Sequence, residues 1–181
     1  MNARVETVDV FVPSPADGIG IFASSYYTAL DGVDLVSSHS HLSRSDTADV
    51  AYIRHSDDNG RTWSDPVVHE THFDHPEGVL RAYPRGGYVD PPTGRYVSIG
   101  NEAVLPTDDP LEGMRQWYLV YSVSEDGGKT DLVNEQVIHE GDEFDEVHHL
   151  PGVWKGRNCA MMGDLGQRPL TRSDGVILVP I

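Results

Sequence analysis

Hydrophobic positions in this chain come in short runs rather than at helical spacing. The runs Ile19–Tyr27, Val33–Ser38, Val50–His55, Tyr96–Gly100, Trp117–Ser124 and Val176–Ile181 are each bounded by Gly, Pro, Asp or Asn. Short apolar segments between turn residues predict strands, and several alternate or run continuously apolar, as core strands of stacked sheets do. Between them, His69–Glu77 and Glu140–His149 read as loops rich in His, Asp and Glu. The 18 Gly and 12 Pro add many turns, and the pattern as a whole predicts an all-β chain.

Two elements recur. Ser56-Asp57-Asp58-Asn59-Gly60-Arg61-Thr62-Trp63 and Ser124-Glu125-Asp126-Gly127-Gly128-Lys129-Thr130-Asp131 both read Ser-x-Asp-x-Gly-x-Thr, with a period of about 68 residues. A tight turn between two strands is expected at Leu30-Asp31-Gly32-Val33, at Asp90-Pro91-Pro92-Thr93-Gly94-Arg95 and at Ser173-Asp174-Gly175-Val176. Each period has room for four strands of ordinary length plus loops, and four-stranded units repeated radially are propeller blades.

Ser-x-Asp-x-Gly-x-Thr-Trp is the Asp-box, and the chain resembles the sialidase (neuraminidase) superfamily, proteins with bacterial neuraminidase repeats. The resemblance runs from about Ile19 to Ile181; the second box carries Asp131 where the motif has Trp. It implies a six-bladed β-propeller, with each box on the turn between the third and fourth strands of a blade. On that reading residues 1–18 lead into a partial propeller over 19–181. Blade one covers about 19–80, blade two about 81–160, and blade three begins at about 161–181. The expectation is an N-terminal portion of about two and a half blades, its remaining blades lying in a longer chain.

Charge narrows the partners. With 29 acidic against 13 basic residues the formal net charge is −16. Phosphate backbones and anionic lipid both require clustered Lys and Arg, so neither nucleic acid nor a membrane surface is expected. No apolar run approaches the roughly 20 residues of a spanning helix, so membrane insertion is not expected either. The segment Met1–Val12 carries no recognisable signal peptide, which leaves a cytoplasmic location as the default. A single cysteine, Cys159, removes internal disulfides and multi-cysteine metal sites, and reads as a structural thiol. No metal and no cofactor are expected.

The boxes themselves report fold rather than chemistry. Asp58 and Asp126 can accept hydrogen bonds from their own turns, Gly60 and Gly128 can take positive φ, and Ser56, Ser124, Thr62 and Thr130 can satisfy further turn groups. Trp63 can cap the packing between strands.

What the resemblance implies chemically is hydrolysis of a terminal sialic acid. Three arginines hold the substrate carboxylate, a Tyr assisted by a Glu is the nucleophile, and an Asp is the acid/base. Carried over by position, the acid/base maps to Asp46, in the loop His39–Asp49 before the strand that leads into the first box. The place of the first arginine falls at Phe22-Ala23-Ser24, where no arginine stands. Arg168, before the third hairpin, is a candidate substrate contact, as is Arg85 before the second; Arg81 is a weaker candidate of the same kind, and Glu102, after the second hairpin, is a minor candidate for an acid. His39 and His41 share one face of a strand and are the histidines proposed to contact substrate. His69, His72 and His75, and the pair His148-His149, read as parts of solvated acidic loops. The leading expectation is a sialidase-like glycoside hydrolase taking a terminal sugar from a glycan. The alternative is a non-catalytic Asp-box propeller that serves as a glycan- or protein-binding platform.

Overall fold

The computed structural model describes residues 10–44, 48–162 and 168–181. The first run of strands folds back on itself through consecutive short turns: β1 (Gly20–Tyr27), β2 (Leu35–Leu42), β3 (Val50–Ser56) and β4 (Val67–His69) form one antiparallel sheet in that order. Strand β2 runs past its apolar start through Ser-His-Ser-His to Leu42, because its backbone pairs on both sides, with β1 and with β3.

The second sheet is built around a ten-residue strand. β5 (His72–His75) pairs with β6 (Gly78–Ala82), and β6 pairs with the far half of β8 (Tyr96–Leu105). β7 (Gly86–Val89) pairs with the near half of β8, so β6 and β7 lie end to end along one side of it. Pro84, which has no N–H to give a ladder, falls between them. β9 (Tyr118–Ser124) and β10 (Val133–Gln136) complete the sheet on the other side. Thus β7-β8-β9-β10 repeats the four-stranded antiparallel meander of β1-β2-β3-β4. A last hairpin joins β11 (Leu170–Thr171) and β12 (Ile177–Leu178). Helix among the described residues is confined to two short turns, Pro110–Glu112 (3-10) and α1 (Gly113–Gln116).

The all-β reading holds, and the three predicted hairpin turns join β1 to β2, β7 to β8 and β11 to β12. The reading of His69–Glu77 as loop does not hold, since it contains the end of β4 and all of β5. That segment is a polar edge hairpin held by backbone pairing, with Phe73 39% exposed, so apolar patterning does not announce it. Its turn depends on Gly78. With φ at 143° and the Leu105 carbonyl oxygen 2.2 Å from where a Cβ would stand, no other residue fits there without displacing backbone.

Burial concentrates in the second sheet. Tyr96, Val97, Ile99, Leu119 and Val120 are buried on β8 and β9, and Ala103, Leu105 and Trp117 form a core cluster that Tyr83, Cys159 and Met161 pack against. Several contacts among the described residues join the parts, two of them at the first strands. The Tyr26 hydroxyl of β1 lies against Gly86 of β7, and Thr171 of β11 donates its hydroxyl to Asp90 Oδ1 at 2.5 Å while sharing a 3.2 Å hydrogen bond with the Tyr88 hydroxyl. The first strands of the two meanders and of the last hairpin are therefore neighbours.

Candidate functional site

Both Asp-boxes close the turn between the third and fourth strands of a meander, β3 to β4 and β9 to β10, with one shared set of hydrogen bonds. In the first, Ser56 Oγ donates to Asp58 Oδ1 (2.9 Å) and accepts from the Gly60 N–H (2.9 Å). Asp58 in turn accepts from the Thr62 N–H (2.8 Å) and hydroxyl (2.7 Å). In the second, Ser124 Oγ bonds Asp126 Oδ1 (2.6 Å) and the Gly128 N–H (2.9 Å), and Asp126 accepts from the Thr130 N–H (2.8 Å) and hydroxyl (2.6 Å). Gly60 and Gly128 sit at φ 77° and 88°. The Thr62 bonds lead in pulling the Asp58 carboxyl down to about 2, and the Ser124 and Thr130 bonds hold Asp126 far below its ordinary value. Carboxylates saturated in this way fasten turns and are not free to exchange protons.

Trp63 donates its indole N–H to the Gly60 carbonyl (3.1 Å) and packs against Phe11. Asp131, which replaces it in the second box, instead accepts from the Asn134 side chain (3.0 Å).

Between the two meanders lies a cleft of about 520 Å³, within the range of small-ligand sites. Strand alternation decides its walls. Val36 and Ser38 of β2, Ile53 and His55 of β3, and Val67 and His69 of β4 face it from the first sheet. Tyr96, Ser98 and Glu102 of β8, Ser122 of β9 and Asn134 of β10 face it from the second.

Arg85 crosses the second wall. Its side chain lies flat over Gly100, where a Cβ would stand 2.7 Å from Arg85 Cγ, so glycine at that point is what lets the guanidinium reach across the sheet. One end donates to Asn134 Oδ1 (2.8 Å) and the other to Glu102 Oε1 (2.7 Å), with Arg85 and Glu102 each 17% exposed. Behind Glu102 stands Tyr118, whose phenol is pushed up to about 12 by burial, then by the Glu102 charge and the hydrogen bond between them. The Lys155 ammonium sits 3.8 Å from the centre of the Tyr118 ring and donates to Gln136 Oε1 at 3.1 Å, and burial lowers its pKa. His55 and His69 are also held below 6.5, mainly by burial, with Lys129 adding to the effect at His55 and Arg85 at His69.

The sequence-predicted candidates fall in different places. Arg85 and Glu102 meet in the cleft. Arg168 places its guanidinium 5.7 Å from the ring centre of Tyr26, which lines the same cleft. His39 and His41 are on β2 but on the opposite pleat from Ser38, where both rings pack on Tyr52. His39 is buried, its Nδ1 has no hydrogen-bond partner among the described residues, and burial lowers its pKa ahead of the Arg54 and His41 charges. Asp46 lies outside the described residues. The nearby carbonyl of Ala48 accepts from Arg81 Nη1 at 3.4 Å. Arg81, 3% exposed, is held in two bonds to Asp108 and acts as a tie between segments rather than a ligand contact.

Ser98, Ser122, Asn134 and Tyr118 are the site residues that sequence reasoning missed. A signal existed for the first: Tyr96-Val97-Ser98-Ile99-Gly100 puts a hydroxyl and then a bare backbone at alternate positions of an otherwise apolar run. No protein-family model matches this chain, and no curated protein matches it.

Proposed function

We propose that the two meanders are consecutive blades of a sialidase-like, six-bladed β-propeller, and that the protein is a glycoside hydrolase of that type, removing a terminal sugar from a glycan. The observation that carries this is the repetition of one hydrogen-bonded Asp-box at the same turn of two successive four-stranded meanders. The contacts Tyr26–Gly86 and Thr171–Asp90, which keep β1, β7 and β11 side by side, support a radial order of sheets. Arg85 and Glu102 give this molecule a guanidinium and a carboxylate for hydroxyl recognition, and Asp46 is the proposed acid/base. Ala82, the neighbour of Arg81, pairs with Glu102. The contact of Arg81 with the Ala48 carbonyl therefore ties Ala48 to the end of the second sheet where β6 meets Glu102.

A specific observation favours a second reading, a glycan-binding platform without turnover. Arg85 and Glu102 are bonded to each other at 2.7 Å in the cleft wall, and a pair engaged in this way offers a ligand hydrogen-bond donors and acceptors without supplying a reacting group. Incubation of the full-length protein with fluorogenic exo-glycosides, the sialoside included, separates the two. Turnover that Asp46→Ala lowers by about a hundredfold or more supports the hydrolase. A folded protein that turns over none of them, yet is retained on a glycan array, supports the platform.

A further inference from the structure

The cleft between the sheets has an unusual lining for a place where two sheets meet. Among the described residues that line it, the charged side chains are two cations, Arg85 and Lys129, and two carboxylates, Glu102 and Asp131, which sum to zero in a protein of net charge −16; Arg168 stands at its border, over the Tyr26 ring. Hydroxyls stand on both walls: Ser38 on one, Ser98 and Ser122 on the other, the last two sharing a 2.8 Å hydrogen bond. A hydroxyl donates one hydrogen bond and accepts two, so this pair keeps acceptor capacity after bonding to itself. Tyr26, Tyr83 and Tyr96 supply aromatic surface on the same lining.

We infer that this cleft binds a neutral, hydroxyl-rich ring, a hexopyranoside, and discriminates against a sugar that carries a carboxylate. The choice of a sugar rests on the carbohydrate reading above, whereas the neutrality follows from the charges of the cleft itself. Paired serines, an amide and aromatic faces match the alternating hydroxyls and C–H faces of a pyranose. Of the two cations on the lining, Arg85 is the one that offers a carboxylate a planar donor fork, and Arg85 is committed. Two of its five N–H donors are already spent on Asn134 and Glu102, and turning the guanidinium toward an incoming anion takes from Glu102, itself 17% exposed, its ion-pair partner and leaves it the Tyr118 hydroxyl. Glu102 also repels such a ligand directly. His55 and His69, kept neutral at pH 7 by burial, add hydrogen-bonding capacity without adding positive charge.

The test is NMR mapping of protein amide shifts together with titration calorimetry on the full-length protein, with methyl β-D-galactopyranoside, methyl α-D-glucopyranoside and N-acetylneuraminic acid as probes. At least one neutral glycoside is expected to bind, with amide shifts clustered at Ser38, Ser98, Ser122 and Asn134. N-acetylneuraminic acid is expected to bind about tenfold more weakly or worse. Ser38→Leu, on the half-buried wall, is expected to abolish binding of the neutral probe. Glu102→Gln, which frees Arg85 at constant shape, is expected to raise the affinity for N-acetylneuraminic acid by about tenfold. Should Ser38→Leu fail to fold, the shift map on the wild-type protein still decides the location. Preferential binding of N-acetylneuraminic acid in the wild type overturns the neutrality and leaves the carbohydrate reading standing. Binding of neither probe, or shifts that map away from the cleft, overturns the site itself, while the turnover assay reports independently on the enzyme.

Discussion

Ser124 illustrates how much a single hydroxyl does in this fold. It is 1% exposed, donates to Asp126 and accepts from the N–H groups of both Asp126 (3.2 Å) and Gly128. Ser124→Ala removes the acceptor of two N–H groups in an exposed turn, where water replaces it in part, so a loss of about 0.5–1.5 kcal/mol is expected in urea unfolding, with an unchanged m-value. Ser56→Ala, at the equivalent place in the first box, is expected to behave alike. A loss below about 0.5 kcal/mol at both positions would mean that the boxes decorate the turns rather than hold them. The same scale separates structure from chemistry among the charged residues. Arg81 is spent on Asp108 and the Ala48 carbonyl, whereas Arg85 and Glu102 meet at the edge of a solvent-reachable cleft.

At the scale of elements, the strands with apolar alternation were legible and most of the rest were not, for a definite reason. β1, β3, β8 and β9 pair on burying faces, so their side chains carry the pattern. β5 and β10 are held by backbone pairing to a neighbouring strand, and their sequences His-Phe-Asp-His and Val-Asn-Glu-Gln carry one apolar residue each; β7, Gly-Gly-Tyr-Val, is announced by the turn that follows it rather than by an alternation of its own. The candidate site was legible in part for a similar reason. Arg85 and Glu102 could be singled out by their positions beside a hairpin, but their pairing across Gly100 depends on tertiary register that no local pattern encodes. His39 and His41 could be placed on one face, though not on which one. Gly78 provides the test at this scale. Gly78→Ala pushes a Cβ into the Leu105 carbonyl at positive φ, and a destabilisation of about 2 kcal/mol or more is expected, whereas Gly152→Ala, with open space around it, should cost about 1 kcal/mol or so from backbone conformation alone. Equal costs would contradict the close turn between β5 and β6.

Over the whole molecule, burial and hydrogen bonding set a dependence on pH. His39, His55, His69, His72 and His149 all have pKa values lowered below 6.5, in each case chiefly by burial. The unfolded chain therefore takes up protons near pH 6.5 that the folded chain refuses, and stability falls as pH drops from about 7 toward 5. A second loss follows below 3.8, where the unfolded carboxyls protonate while Asp58, at about 2, stays ionised in its turn; Asp90 and Asp145, lowered by their own hydrogen bonds, add to it. Thermal melts across this range should show Tm level above pH 7 and falling in two stages below it. A Tm that rises between pH 7 and 5 would contradict the buried, neutral histidines. The large acidic excess surrounds a cleft whose own charges cancel, so the steering field of the surface disfavours anionic ligands before they reach it. The measurement that bears most directly on the account is identification of the monosaccharide released when the full-length protein is incubated with one complex glycan in sialylated and desialylated forms. Release of a neutral hexose from the desialylated form is the predicted result, and no release from either form by a folded protein would contradict it.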